Sequence, residues 1–417
     1  MKERIILHAD INYCYAQIEE MRYPELKRVP MAVGGNQEKR HGVILAKNEL
    51  AKKYQIKTGE SLVEAKKKCP GLLVIQPDFH AYHYYTECVK NIYREYTDQV
   101  ESFGMDEAWL DISSSTQLFG SGYAIAKTIQ DRVLAELGLT ISIGVSFNKI
   151  FAKLGSDLIK PKGLVHISKD NFKEIVWPLA VSELLYVGNA TKQKLTAEGI
   201  TTIGELAASD LSFLCRKLGK MGEVIWQFAN GYDLSEVAFS DHKEEVKSVG
   251  NSITTIRDVT QYEEAKLVYY VLVESVASRL KDQGLKGSVI SISLRDAQLN
   301  WLTRQRKIKR STNITEEIMP VVLDLLVQHW SFLTPLRSIG VTVSQLNSDS
   351  QAEQLNLFED ETNHQKRLIV DRTMDQIRTK HGFQAIQRCC LLLDQQLTDF
   401  NPKGDHTVHP AGISNVV

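Results

Sequence analysis

Ser102-Phe103-Gly104-Met105-Asp106-Glu107-Ala108-Trp109-Leu110-Asp111 sets two adjacent carboxylates at a tight glycine-containing turn between segments that read as β-strands. Side-by-side negative charges resist joint ionisation unless a cation neutralises them, so the turn reads as a divalent metal site. A third carboxylate stands at Asp10, where Arg4 to Ala9 reads as a buried strand ending in a charge. Three carboxylates on neighbouring strand ends can hold two Mg²⁺ ions. Two ions roughly 3.5–4 Å apart activate one oxygen and stabilise another during in-line phosphoryl transfer. The competing reading of the turn alone is a hydrophilic hairpin tip.

The surroundings favour the metal reading. Strand-like segments at 4–11, 98–103, 108–113 and 141–147 alternate with helical patterns near 80–97 and 121–137 in the order β-α-β-β-α-β. That order forms a split β-α-β sheet, expected with its helices on one face. Ile125, Ile129, Val133, Leu134 and Leu137 recur at helical spacing, and Gly138 is a natural C-terminal stop. Such a sheet brings Asp10 beside the hairpin of Asp106 and Glu107.

The 417 residues suffice for three or four modest domains. A net charge of −1 excludes nucleic-acid binding by global basicity, so any cationic surface is local. The clearest candidate is Trp301 to Arg310, which carries Arg304, Arg306 and Lys307. It could extend a sheet with the alternating strand Gly287 to Arg295 and lie along duplex backbone, or serve as a charged edge that blocks aggregation. The six cysteines, at 14, 69, 88, 215, 389 and 390, follow no metal-ligand spacing and read as free thiols of a reducing compartment. With no signal peptide and no apolar run of spanning length, the expectation is a cytoplasmic protein without membrane attachment.

His8-Ala9-Asp10-Ile11-Asn12-Tyr13-Cys14-Tyr15-Ala16-Gln17-Ile18-Glu19-Glu20, taken with 102–111, with Gly144 to Gly163 and with Ser248 to Thr255, resembles the Y-family translesion DNA polymerases of the bacterial DNA polymerase IV and UmuC type. The segments stand in family order and spacing over residues 1–347. The resemblance implies an α+β right-hand polymerase. Its ferredoxin-like palm would span 1–19 and 79–167, its small fingers 20–78, and its helical thumb with a helix-hairpin-helix 168–240. A linker at 241–247, an α+β little finger at 248–347 and a C-terminal tail at 348–417 would follow.

Carried over by position, the resemblance implies that Asp10, Asp106, Glu107 and the Ile11 carbonyl bind the metals. Tyr13, Cys14, Tyr15, Lys52 and Lys160 would surround the nucleotide. Tyr15 falls at the steric-gate position, where a ring under the sugar clashes with a 2′-hydroxyl; its plainer reading is a core aromatic. Two positions depart from the family pattern. Glu49 and Lys52 stand where a Tyr and an Arg commonly grip the triphosphate, and Asn12 stands where a second acid is frequent. Lysine replaces arginine only as a point charge, and Glu49 must point away, pair with Lys52 or Lys53, or assist a metal.

Leu184 to Ile200 resembles a helix-hairpin-helix, whose glycine turn at Gly188, with Lys192 after it, offers a sequence-independent phosphate contact. Gln354-Leu355-Asn356-Leu357-Phe358 is similar to the bacterial sliding-clamp-binding peptide. His364 to Gly382 reads as a short amphipathic helix, and 399–417 carries no clear chemistry.

The combined expectation is a monomeric, Mg²⁺-dependent, low-fidelity DNA polymerase acting on primer-template DNA and dNTP. It would dock on a sliding clamp and lack proofreading. Two rivals remain. A nucleotide cyclase would leave the hairpin motif, the basic strand and the clamp peptide unexplained. A catalytically silent DNA-binding accessory protein that docks on the clamp would not need all three carboxylates.

Overall fold

Every residue of the strand Ile6–Ile11 is buried, yet its two faces differ in kind. Leu7, Ala9 and Ile11 join an apolar core with the helices Phe79–Arg94 and Gly122–Leu137. Ile6, His8 and Asp10 alternate onto the opposite face, the geometric result of a two-residue side-chain period. The computed structural model describes residues 4–35, 40, 42–242, 245–351 and 361–404. They form two compact units, one from the described residues of Met1–Gly35 and Val43–Lys243, the other from those of Asn36–Gly42 and Glu244–Thr407.

The first unit is built on a five-stranded sheet in the order Val100–Phe103, Glu107–Asp111, Ile6–Ile11, Ile141–Ser146, Leu164–Ile167. The first four strands are antiparallel neighbours and make the expected split β-α-β arrangement; the fifth pairs in parallel at the edge. Ser121 caps the helix Gly122–Leu137, and Gly138 ends it in the left-handed conformation. The helices Phe79–Arg94 and Gly122–Leu137 share one face as expected, and a further helix, Lys149–Leu158, packs on the other through Ala152. Gly144 permits that approach. A Cβ there would lie 1.9 Å from the Ala152 carbonyl oxygen and 2.6 Å from the Ser156 nitrogen.

A smaller sheet, in the order Ile44–Lys47, Met31–Gly34, Leu73–Ile75, covers its own core of Ile44, Ile56, Leu62 and Leu72. Asn48 fixes it to the helix Cys14–Arg22. Its side chain accepts from Met31 N and Ala51 N and donates to Glu20 and the Val29 carbonyl. Short helices between Phe172 and Ala229 enclose a third core around Leu195, Ile203, Leu206, Leu214 and Ile225. Of the helix-hairpin-helix expected over 184–200, one helix forms, Asn189–Ala197, and the 3₁₀ turn Val181–Glu183 stands just before the segment.

The second unit has an antiparallel sheet in the order Trp301–Thr312, Leu285–Asp296, Leu336–Ser348, Ser248–Val259. Tyr262–Asp282 and Thr315–His329 share an apolar core with it. The sequence reading treats everything beyond 347 as a tail, whereas residues 361–404 fold back onto these helices. Leu397 enters their core, and the 21-residue helix Glu361–His381 is held by ion pairs. All six cysteines are free. Among the described residues, no helix is long and apolar enough to cross a membrane.

Candidate active site

Strand register joins the three carboxylates. Asp10 lies directly opposite Glu107, and the Ile11 N–H donates to the Asp106 carbonyl at 3.1 Å. Gly104, with φ of 81°, makes the turn that returns the chain into the Glu107 strand. A buried lysine from the helix behind, Lys90, reaches the Gly104 carbonyl at 3.5 Å.

The electrostatics divide the three acids. Burial pushes the Asp10 carboxyl up to about 7, with Glu107 and Asp106 adding to the rise and Lys160 opposing it. Burial and the neighbouring Glu107 raise Asp106 as well. Burial acts against Glu107 ionisation too, yet that carboxyl stays below its usual range, with the Lys153 ammonium against it as the countercharge.

The lysines behind these effects come from the helix Lys149–Leu158 and the turn after it. Lys153 Nζ lies 2.5 Å from Glu107, and Lys160 Nζ lies 2.6 Å from Asp10 and 2.8 Å from Asp157. Ser156 Oγ donates to the Lys153 carbonyl at 2.7 Å and lies 2.8 Å from His8 Nδ1, which sets Nδ1 as the hydrogen-bearing nitrogen. His8 Nε2 then faces Glu107 at 3.3 Å without a well-formed hydrogen bond. Burial lowers the pKa of His8, so the ring is a neutral wall beneath the site.

A cavity of about 450 Å³ opens above the carboxylates. Asp10, Asp106 and Glu107 line it together with Ile11, Tyr13, Cys14, Tyr15, Lys52 and Lys160, so every residue expected at the metals and nucleotide meets in one space. Tyr13 takes a left-handed backbone, with φ of 37° and ψ of 46°, at the start of the helix Cys14–Arg22. Tyr15 stacks on Tyr82 at 4.6 Å between ring centroids and meets Phe79 edge-on at 5.9 Å. Its ring is thus braced by the core while still facing the cavity.

The departures from pattern acquire definite contacts. Glu49 pairs with Lys52 at 3.5 Å. Asn12 turns its side chain away, donating to Thr140 Oγ1 and accepting from Ser142 Oγ. Sequence reading missed Lys47 and Thr58 in the cavity wall, and Lys153 and His8 beneath it. For Lys153 a signal existed. It lies four residues before Asp157 and seven before Lys160, on the same helical side as the pair it serves.

The acids fit a hard divalent cation. They offer oxygen donors, two of them have ionised forms disfavoured by burial, and Asp106 has no cationic side chain within ion-pair range among the described residues. No three acidic, histidine or cysteine side chains of the described residues already converge in ligating geometry, since Lys160 and Lys153 hold Asp10 and Glu107.

The other expected contacts lie elsewhere. Gly188 starts the helix Asn189–Ala197 with open space where a side chain would stand, and Lys192 is exposed on its first turn. On the edge strand Trp301–Thr312, Arg304 and Lys307 are exposed. Arg306 instead turns to the helix Thr315–His329, bonding Asp324 at 3.1 Å and Gln328 at 3.2 Å. Gln354, Leu355, Leu357 and Phe358 lie outside the described residues.

A split β-α-β sheet that gathers three acids from two strands and a hairpin turn, beneath a lysine-walled cavity, defines the palm of a polymerase-type fold. A solved Y-family DNA polymerase chimera has the same architecture, with a TM-score of 0.72 over 82% of this chain and 98% of its own, at 22% identity. The chain belongs to the impB/mucB/samB family, whose model matches residues 9–157 and whose C-terminal-domain model matches 246–357. It is 46% identical over 395 residues to DNA polymerase IV of Acetivibrio thermocellus, covering 95% of this chain and 99% of that one. To DNA polymerase IV 2 of Bacillus subtilis it is 38% identical, covering 94% and 95%.

Proposed function

We propose that this protein is a template-directed DNA polymerase of the translesion class, without proofreading, that joins dNTPs to a primer held on damaged or intact template. The observation that carries the reading is the meeting of Asp10, Asp106 and Glu107 with Tyr15 and three lysines in one cavity. Asp10, Asp106, Glu107 and the Ile11 carbonyl are the groups to hold two Mg²⁺ ions. When bound, the ions supply charge neutralisation for attack of the primer 3′-hydroxyl on the nucleotide α-phosphate with loss of pyrophosphate.

The chain's own residues do the rest. Lys153 keeps Glu107 ionised and oriented, so that acid is ready as a ligand at neutral pH. Lys160 counters the charge of Asp10 and stands at the cavity wall where phosphate oxygens would lie. Tyr15, braced by Tyr82 and Phe79, resists displacement by a 2′-hydroxyl and so selects deoxyribose. Tyr13 and Cys14 complete the wall beside it.

In this reading the palm is 1–19 and 79–167, the fingers 20–78, the thumb 168–240, the little finger 248–347 and the C-terminal region 348–417. Small fingers reject mispairs weakly and tolerate distorted templates. Gly188, Lys192, Arg304 and Lys307 are duplex-backbone contacts, and 354–358 docks on a sliding clamp of the bacterial type. The protein works as a cytoplasmic monomer. A silent accessory protein would have no use for two buried acids whose charge is uphill, since apolar residues would be more stable there. Primer extension by the purified chain with Mg²⁺ and dNTPs tests the reading, and absence of any extension on a clean primer-template refutes it.

A further inference from the structure

Three lysines line the cavity, Lys47, Lys52 and Lys160, and they differ in how their charge is already used. Lys160 is bound to Asp10 and Asp157. Lys52 stands beside Glu49, so that pair presents no net charge to an incoming anion. Lys47 contacts only the neutral hydroxyl of Thr58, at 3.3 Å, and no carboxylate lies within ion-pair range of it among the described residues. It is also partly withdrawn from water. Burial lowers its pKa and the nearby Lys52 lowers it further, while Glu60 and Glu49, beyond ion-pair range, offset this only in part. A partly desolvated ammonium without a counter-ion gains from any anion that enters its space.

Its mounting is firm. Lys47 ends the strand Ile44–Lys47 in register opposite Ala32, and the next residue is the buried Asn48 that ties this strand to the helix Cys14–Arg22. The ammonium has three donors. Thr58 takes one and leaves two for phosphate oxygens.

We propose that Lys47 is a polyphosphate-binding residue of the nucleotide cavity, supplying the free positive charge that the Glu49–Lys52 pair does not. The assignment rests on the reading of this cavity as the nucleotide site. It moves the phosphate grip from the first turn of the helix Glu49–Lys52 to the strand before it. It also makes that grip a point-charge contact rather than a planar fork, tolerant of small shifts in the phosphate chain.

Calorimetry of the full chain with inorganic tripolyphosphate, paired with steady-state extension kinetics, tests the proposal. Lys47→Ala should weaken tripolyphosphate binding about tenfold or more, the effect of losing a hydrogen-bonded charge. The KM for dNTP should rise by a similar factor, with kcat and primer-template affinity changed far less. Lys47→Arg should recover most of the loss. Equal tripolyphosphate binding by Lys47→Ala and the unaltered chain overturns the proposal and leaves the cavity reading intact. If the unaltered chain binds neither tripolyphosphate nor dNTP, the cavity reading itself fails and the proposal with it.

Discussion

Two sets of buried carboxylates in this protein meet opposite fates. In the second unit, Glu274 is enclosed on the helix Tyr262–Asp282 and receives Arg378 at 2.8 Å and Arg388 at 2.6 Å. Asp371, equally buried, accepts the Thr315 N–H at 2.7 Å and pairs with Lys281 at 3.3 Å. In the first unit, Asp10 has one lysine against two neighbouring acids, and Asp106 has none within ion-pair range among the described residues. The complete set fastens a C-terminal layer to its helices. The incomplete set holds carboxylates whose charge burial disfavours, at a cost in stability, which marks a site rather than a joint.

The contrast can be broken at its strongest point. Asp106→Ala should cut primer extension on the order of a thousandfold or more, because it removes a ligand to the ions that stabilise the transition state. Its thermal midpoint should hold or rise, since an acid whose charge is uphill is gone. Retained activity, or a sharp loss of stability, would show that the acid is structural after all.

Glu274→Ala should do the reverse. It leaves Arg378 without its acid while Arg388 keeps Glu316, so the loss should fall toward the low end of the about 3–5 kcal/mol typical of broken buried pairs. Urea unfolding should report this as an early transition, while the KM for dNTP of the folded fraction stays unchanged. An unaltered unfolding curve would mean the C-terminal layer is held by other contacts.

Tyr15→Ala sharpens the boundary between the apolar core and the site. Ribonucleotide use relative to dNTP should rise on the order of tenfold or more, with little change in melting, if the ring acts on the sugar. Unchanged sugar choice with a lowered midpoint would return Tyr15 to the core beside Tyr82.

The smallest effect separates two neighbours on one strand. Lys307→Ala should flatten the salt dependence of duplex binding by about 0.9 in log-log slope for one lost phosphate contact. Arg306→Ala should leave the slope alone, because that guanidinium is engaged by Asp324 and Gln328. Equal slopes in both variants would remove the edge strand from the interface.

What the sequence discloses follows the same division. The palm was legible because its acids sit on strands with strong alternation, at the ends where register alone brings Asp10 opposite Glu107. The strand Leu164–Ile167 was not, since four residues beside a Lys-Pro-Lys-Gly turn carry too little pattern to separate strand from loop. The C-terminal layer escaped for a different reason. Arg378 and Arg388 meet a Glu more than a hundred residues earlier, and ion pairs between distant positions leave no periodicity to read. Lys47 was hidden likewise, as an ordinary lysine whose role depends on which acids the fold withholds from it.

Gly144 governs how this protein can be altered. Since the atoms nearest a Cβ there belong to the backbone of Ala152 and Ser156, no change of rotamer makes room, and a substitution must lift the whole helix Lys149–Leu158. Lys153 and Asp157 travel with it. Redesign of the site therefore has two separate dials. The cavity wall at Lys47, Glu49 and Lys52 can be retuned one residue at a time, whereas the spacing between acids and their lysine counterparts shifts only as a block.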